Sequence, residues 1–271
     1  MTGVSFGYLA PLAVLRDLTL QVDAGEHVAL IGRTGAGKTS TLHLAGGLYA
    51  PWKGSVRVAG IDPRGLTVEE RRRVVGVVPQ MVQLFSGTVA DNLSLGDGSV
   101  PQEAIERACW LAGATDLIRS LPLQLQTVLR GLGGGQGVQL SAGQRQLVAL
   151  ARALLCEPHV LLLDEATAAI DGASDAAFRS ALRSGALARG CAVLSVAHRL
   201  STAREADRVA VIERGRIVEM GPPSLLIQRG GLFAAWVQLE TAGWIWEGLH
   251  QDHERAPPSV ANERLALMEE G

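Results

Sequence analysis

Residues Val28 to Leu48 set the tightest limit on what this chain can fold into. A short apolar run, VALI, meets the turn Gly32-Arg33-Thr34-Gly35-Ala36-Gly37, and Lys38, Thr39 and Ser40 then open a helical pattern, KTSTLHLAGGL. Gly32, Gly37, Lys38 and Thr39 match the spacing GxxxxGK[ST] in the strand-loop-helix context that the spacing requires. The N–H groups of such a loop and the positive end of the following helix cradle phosphates. Lys38 can bridge the outer phosphates, and the Thr39 hydroxyl can hold magnesium. The alternative is a plain glycine turn between strand and helix, against which the lysine and its context count.

Two more apolar runs lack alternation, Val160 to Leu163 and Ala192 to Ala197, as strands buried on both faces of a parallel sheet do. Asp164 and Glu165 follow the first, and His198 follows the second. Ligands of open α/β sheets sit beyond the carboxyl ends of the strands, so Lys38, Glu165 and His198 are expected to converge there. Adjacent carboxylates at a buried strand end repel unless a cation or ligand is near. Asp164 would steer magnesium and Glu165 would position or deprotonate an attacking water, although the pair could also cap the next helix.

The expected fold is therefore α/β, a P-loop NTPase core with a mostly parallel sheet. Alternation in Val4 to Tyr8, Val14 to Val22 and Ser55 to Val58 adds an antiparallel β layer. From about Leu84 to Glu157 no good strand is visible, and helical patterns such as PQEAIERACWLAGA indicate an inserted α-helical subdomain. One domain would fill residues 1–240, with 241–271 a tail that Pro257 and Pro258 keep from being one helix. The 25 Lys+Arg against 27 Asp+Glu argue against nucleic acid as the main partner, a local basic patch staying open, and Cys109, Cys156 and Cys191 form no CxxC framework for zinc or disulfides. No apolar run nears the roughly 18 to 20 residues that span a bilayer.

Leu140 to Gln144, LSAGQ, opens another helix, GQRQLVALARALL, with an apolar face at Leu147, Leu150 and Leu154. Ser141 and Gln144 have capping-box spacing. On local grounds a cap suffices, yet this helix start, preceded by GLGGGQG, also offers N–H groups and a positive dipole end, a second anion site.

Taken together, these motifs resemble the nucleotide-binding domain of an ABC transporter, of exporter type, over about residues 1–240. GRTGAGKT resembles Walker A, VLLLDE Walker B, and LSAGQ the signature LSGGQ with Ala142 at its third position. Gln80 in VVPQ resembles the Q-loop glutamine, Asp171 in AAID the D-loop aspartate, His198 the switch histidine and Tyr8 the aromatic that stacks on adenine. The resemblance implies ATP and Mg2+ as ligands and a second such domain, in a homo- or heterodimer packed head to tail. Ser141 and Gly143, with Gln144, would contact the γ-phosphate of ATP held by the other chain. Gln80 would contact magnesium and sense a transmembrane partner, fused or separate, while His198 would stabilise the γ-phosphate and Asp171 would link the sites.

LFSGTVADNL and VAHRLSTA resemble exporters in particular, which implies a place on the cytoplasmic face of a membrane through that partner, with the chain itself soluble. The start of the chain, at the strand expected to hold Tyr8, implies an excised or truncated domain or one whose membrane part is encoded elsewhere. GLGGGQGVQ departs from the usual exporter form, which carries a Glu before its glycine. A soluble non-transport ABC ATPase is the alternative, although the coiled coils of DNA-repair relatives and the second cassette of translation relatives are missing. A catalytically silent regulatory cassette conflicts with Lys38, Asp164, Glu165 and His198 standing together.

Overall fold

The computed structural model describes residues 1–131, 134, 136–166, 172–197 and 199–242. In chain order, β1 (Thr2–Phe6) and β2 (Leu15–Leu18) lead into β3 (His27–Ile31) and α1 (Lys38–Ala45), then β4 (Lys53–Ser55), α2 (Val68–Val74) and β5 (Val75–Val78). A largely helical stretch follows, with β6 (Gly87–Thr88), α3 (Val89–Ser94), α4 (Gln102–Leu111), α5 (Thr115–Ser120), β7 (Val128–Leu129) and α6 (Ala142–Leu154). Next come β8 (Val160–Asp164), α7 (Gly172–Ala181), β9 (Ala192–Val196), α8 (Leu200–Ala203), β10 (Arg208–Glu213), β11 (Arg216–Gly221), α9 (Pro223–Arg229) and α10 (Leu232–Thr241). The expected tail beyond Ala242 lies outside the described residues.

The main sheet runs β11-β10-β3-β9-β8-β5, parallel throughout except for β11. Every residue of β3 and β9 is buried, which is why their sequences are apolar apart from the hydrogen-bonded His27 and Ser195. The three strands expected from such runs are the adjacent β3, β9 and β8. Strand β5 is harder to recognise because Gly76 interrupts it. A Cβ there would lie 2.9 Å from Pro158 Cγ and 3.1 Å from the Ala153 carbonyl, so only glycine lets α6 and its exit loop approach. In the stretch expected to be helical, β6 and β7 form a two-stranded antiparallel ribbon.

The antiparallel layer has the order β2-β1-β4, with boundaries that differ from those expected. β1 ends at Phe6, so Tyr8 lies beyond the strand rather than on it. Gly7 supplies the reason: a Cβ at this position would fall 2.0 Å from the Leu12 carbonyl, where the chain folds tightly back. β4 ends at Ser55, and Val58 instead pairs with Ile61 in a small turn.

Side-chain alternation divides β3 between two cores. Val28 and Leu30 pack with Val4, Phe6, Leu15, Leu18 and the α1 leucines Leu42 and Leu44, joining the antiparallel layer to the sheet. Ala29 and Ile31 face the other way, against Val209, Val211, Phe233 and Trp236. A third core fills the helical part, where Leu93, Ile105, Ile118 and Leu150 meet Val78, Leu161 and Leu163 of the sheet edge.

His27 opens β3 with its amide donating to Asp207 Oδ2 at 2.8 Å and its Nε2 2.8 Å from Ser195 Oγ on β9. Burial pushes this imidazole down to about 4 from 6.5; Asp207 opposes that shift and Arg183 adds to it. Because the unfolded chain takes up the proton that the folded chain refuses, stability falls as pH drops through 6.5 towards 4. Between about pH 7.5 and 5.5 this group should cost about 1 kcal/mol. His27→Gln should remove that part of the slope, as read from urea unfolding at the two pH values.

Candidate active site

The loop between β3 and α1 is shaped by close approaches. Gly32 leaves β3 against β10, where a Cβ would sit 2.2 Å from the Ile212 carbonyl oxygen, and a Cβ on Gly37 would fall 2.4 Å from Leu15 Cδ2. Ala36 N–H returns to Arg33 O at 3.0 Å and tightens the turn. Among the described residues nothing accepts a hydrogen bond from the amides of Gly35, Gly37 or Thr39. Arg33, Thr34 and Gly35 are exposed, Ala36 and Gly37 buried. Lys38 is buried, with its Nζ donating to Gly32 O at 2.6 Å and Arg33 O at 3.3 Å, so the ammonium crosses the loop from within. The result is a cradle of amides around a positive charge, at the positive end of a helix.

Parallel strands bring the other acidic and amide groups to the same edge. Asp164, at the end of β8, accepts from Thr39 Oγ1 at 3.4 Å. Glu165 follows in the left-handed region, φ 49°, a conformation that costs a non-glycine residue about 1 kcal/mol or more and that clusters at functional sites. Its Oε2 accepts from Gln80 Nε2 at 2.5 Å, and Gln80 comes just after β5. The Lys38 loop, Asp164, Glu165 and Gln80 thus form one constellation.

Tyr8 is half-exposed beside α1. Its hydroxyl lies 3.0 Å from Ser40 Oγ and 3.3 Å from His43 Nδ1, and its ring meets Phe6 and Tyr49 edge-on, with centroids 5.1 and 5.3 Å apart. Four contacts therefore fix the orientation of this aromatic next to the phosphate loop.

Ser141, Gly143 and Gln144 lie elsewhere, at the start of α6. Gln144 N–H donates to Ser141 Oγ at 3.2 Å and Ser141 N–H donates to Gln144 Oε1 at 2.9 Å, the reciprocal capping box expected from the spacing. Ala142 is the first helical residue, where an alanine side chain meets no conformational obstacle. Ser141 is exposed and forms no hydrogen bond to the Lys38 loop. Asp171 and His198 lie outside the described residues. The residue that sequence reasoning missed is Gln146. It interrupts the buried row Gly143, Leu150, Ala153 of α6, whereas Leu147, expected on the apolar face, is only partly buried. A glutamine in that row was the available signal.

This fold with this loop defines a P-loop nucleotide-binding ATPase. The family model described as ABC transporter matches residues 15–168. The heterocyst differentiation ATP-binding protein HepA of Nostoc is 40% identical over 86% of this chain and 38% of its own length. The ABC multidrug transporter atrD of Emericella nidulans is 42% identical over 85% of this chain and 17% of its own. A solved structure described as a bacterial Atm1-family ABC exporter with ATP bound superposes with a TM-score of 0.76 at 35% identity, over 88% of this chain and 41% of that one. The chain belongs to the ABC transporter family and is a nucleotide-binding ATPase domain homologous to those of exporters. It spans well under half the length of these relatives.

Two glycines of the loop should respond differently to alanine. Gly35, φ 79°, has nothing within 4 Å of a Cβ, so Gly35→Ala should cost only the left-handed conformation, about 1 to 2 kcal/mol. Gly32→Ala must also move the β10 backbone and should cost about 3 kcal/mol or more. Urea unfolding of both variants checks the order.

Proposed function

We propose that the chain is the ATP-hydrolysing motor domain of a membrane exporter, spanning residues 1–240, in which each ATP is held between two such domains packed head to tail. The observation that carries this reading is the separation of two anion-binding features on one chain. The Lys38 loop stands with Asp164, Glu165 and Gln80, whereas the exposed, capped start of α6 stands apart from it. A second copy, or a homologous domain, would bring the missing half to each site. Relatives more than twice as long, and named as transporters, support a transmembrane partner, fused or separate, with the domain on the cytoplasmic face. No helix among the described residues is long and apolar enough to cross a membrane.

In this reading Tyr8 stacks on adenine, and the amides from Gly32 to Ser40 wrap the phosphates as Lys38 turns from its loop carbonyls to the outer oxygens. Glu165 directs and deprotonates the attacking water, with Gln80 steering its carboxylate. Ser141 and Gly143, with Gln144 locking the cap, close on the γ-phosphate of the other chain's ATP, while His198 and Asp171 complete and link the sites. The oxygen donors of Thr39, Asp164 and Gln80 suit Mg2+, a hard cation that keeps waters and phosphate oxygens as its other ligands. When bound there it neutralises developing phosphate charge. Exposed Met81, bordering a cavity of about 440 Å³ between the Gln80 segment and α6, and exposed Phe85, four residues further on, give the membrane partner's coupling helices an apolar seat.

Glu165→Gln should keep ATP binding and slow single-turnover hydrolysis by about 10²- to 10⁴-fold, whereas Lys38→Ala should weaken ATP binding itself. A rate within about tenfold of wild type for Glu165→Gln would remove that residue from the proposed role.

Lys38→Ala and Ser141→Arg homodimers should each be inactive. In a random mixture about half the dimers hold both chains, and each of those has one intact site, so about a quarter of wild-type activity should return at high protein concentration. A mixture no more active than its components, once exchange is confirmed, would mean catalysis within one chain.

A further inference from the structure

Gln146 is 5% exposed on the inward row of α6, five residues beyond the serine that caps this helix. Its Nε2 donates to two backbone carbonyls of the segment leaving β5, Pro79 O at 3.4 Å and Gln80 O at 3.1 Å, while its Oε1 is buried without a hydrogen-bond partner. A buried amide used on one side only is a costly way to fill space, since an apolar side chain of that volume leaves no acceptor unpaired. The two N–H bonds therefore have to account for it. The shorter one ends on the residue whose side chain reaches Glu165, giving a continuous path from α6 through Gln146 and the Gln80 backbone to the Glu165 carboxylate.

We propose that Gln146 is a positioning residue for hydrolysis: it clamps the Gln80 segment to the helix that Ser141 caps, so that Gln80 presents its amide to Glu165 in one orientation. The inference rests on the reading of Glu165 as the water-directing group. One rigid helix then carries the surface offered to the other chain's ATP and the tether that sets the chain's own carboxylate.

The test compares Gln146→Leu, Gln80→Ala and the double variant in the full chain. Gln146→Leu should lower the single-turnover rate about tenfold and leave the ATP dissociation constant within about twofold. It should speed hydrogen exchange at the amides of residues 81–83 and leave the thermal midpoint unlowered. In the Gln80→Ala background the same change should alter the rate by less than about twofold, because the side chain being aimed is gone. Equal losses in both backgrounds, no loss in the wild-type background, or unchanged exchange at 81–83 would overturn the proposal. So would a loss of ATP affinity or thermal midpoint in step with the rate. Should Gln146→Leu fail to fold, Gln146→Met carries the same comparison. A wild-type chain that hydrolyses no ATP at any concentration would sink the motor reading instead, while the exchange measurement would still decide the tether.

Discussion

The contact between Gly32 and the Ile212 carbonyl governs the rest of the molecule. It fixes where the chain leaves β3, and a side chain at that point would push the loop away from the sheet. From there the loop has little freedom. Ala36 N–H turns back to Arg33, Gly37 lies against Leu15 of the antiparallel layer, and Lys38 threads under its own loop to the Gly32 carbonyl. The amide cradle thus depends on packing from β10 on one side and β2 on the other, and on the two cores that divide the side chains of β3 between them.

The parallel arrangement then does the chemical sorting. β3, β8 and β5 end at the same edge of the sheet, so Lys38, Asp164 with Glu165, and Gln80 meet although they come from distant parts of the chain. The left-handed Glu165 turns its carboxylate towards Gln80 at the point where the strand stops. On the other side of that segment the buried amide of Gln146 holds the backbone, linking the helical lobe to the strand ends where Gln80 meets Glu165.

The parts of this architecture written locally were legible in the sequence. The strand, glycine turn and lysine-led helix around Lys38 could be recognised because their meaning lies within some twenty residues, and the Ser141–Gln144 box because its reciprocal bonds span one helical turn. Long-range contacts hid the rest. Strand β5 was masked by Gly76, whose absent side chain answers Pro158 and Leu161 far along the chain. Tyr8 was placed on a strand that Gly7 ends early, and the Gln80–Glu165 contact joins residues whose pairing no spacing rule gives. Nothing local shows what Gln146 holds, because its acceptors belong to another element.

The order of the main sheet bears on how such a chain is cut. β3 pairs with β10 on one side and β9 on the other, and both follow residue 168, where the family match ends. A fragment covering only the recognisable stretch would present β3 with two open edges and its most apolar residues to water, a state prone to aggregation. The segment by which the chain is recognised is therefore not the segment that folds. Truncation, permutation or fusion would have to respect a unit that closes only when β10 is laid beside β3. During synthesis, the loop built around Lys38 would take its final shape only after more than 170 further residues had been added.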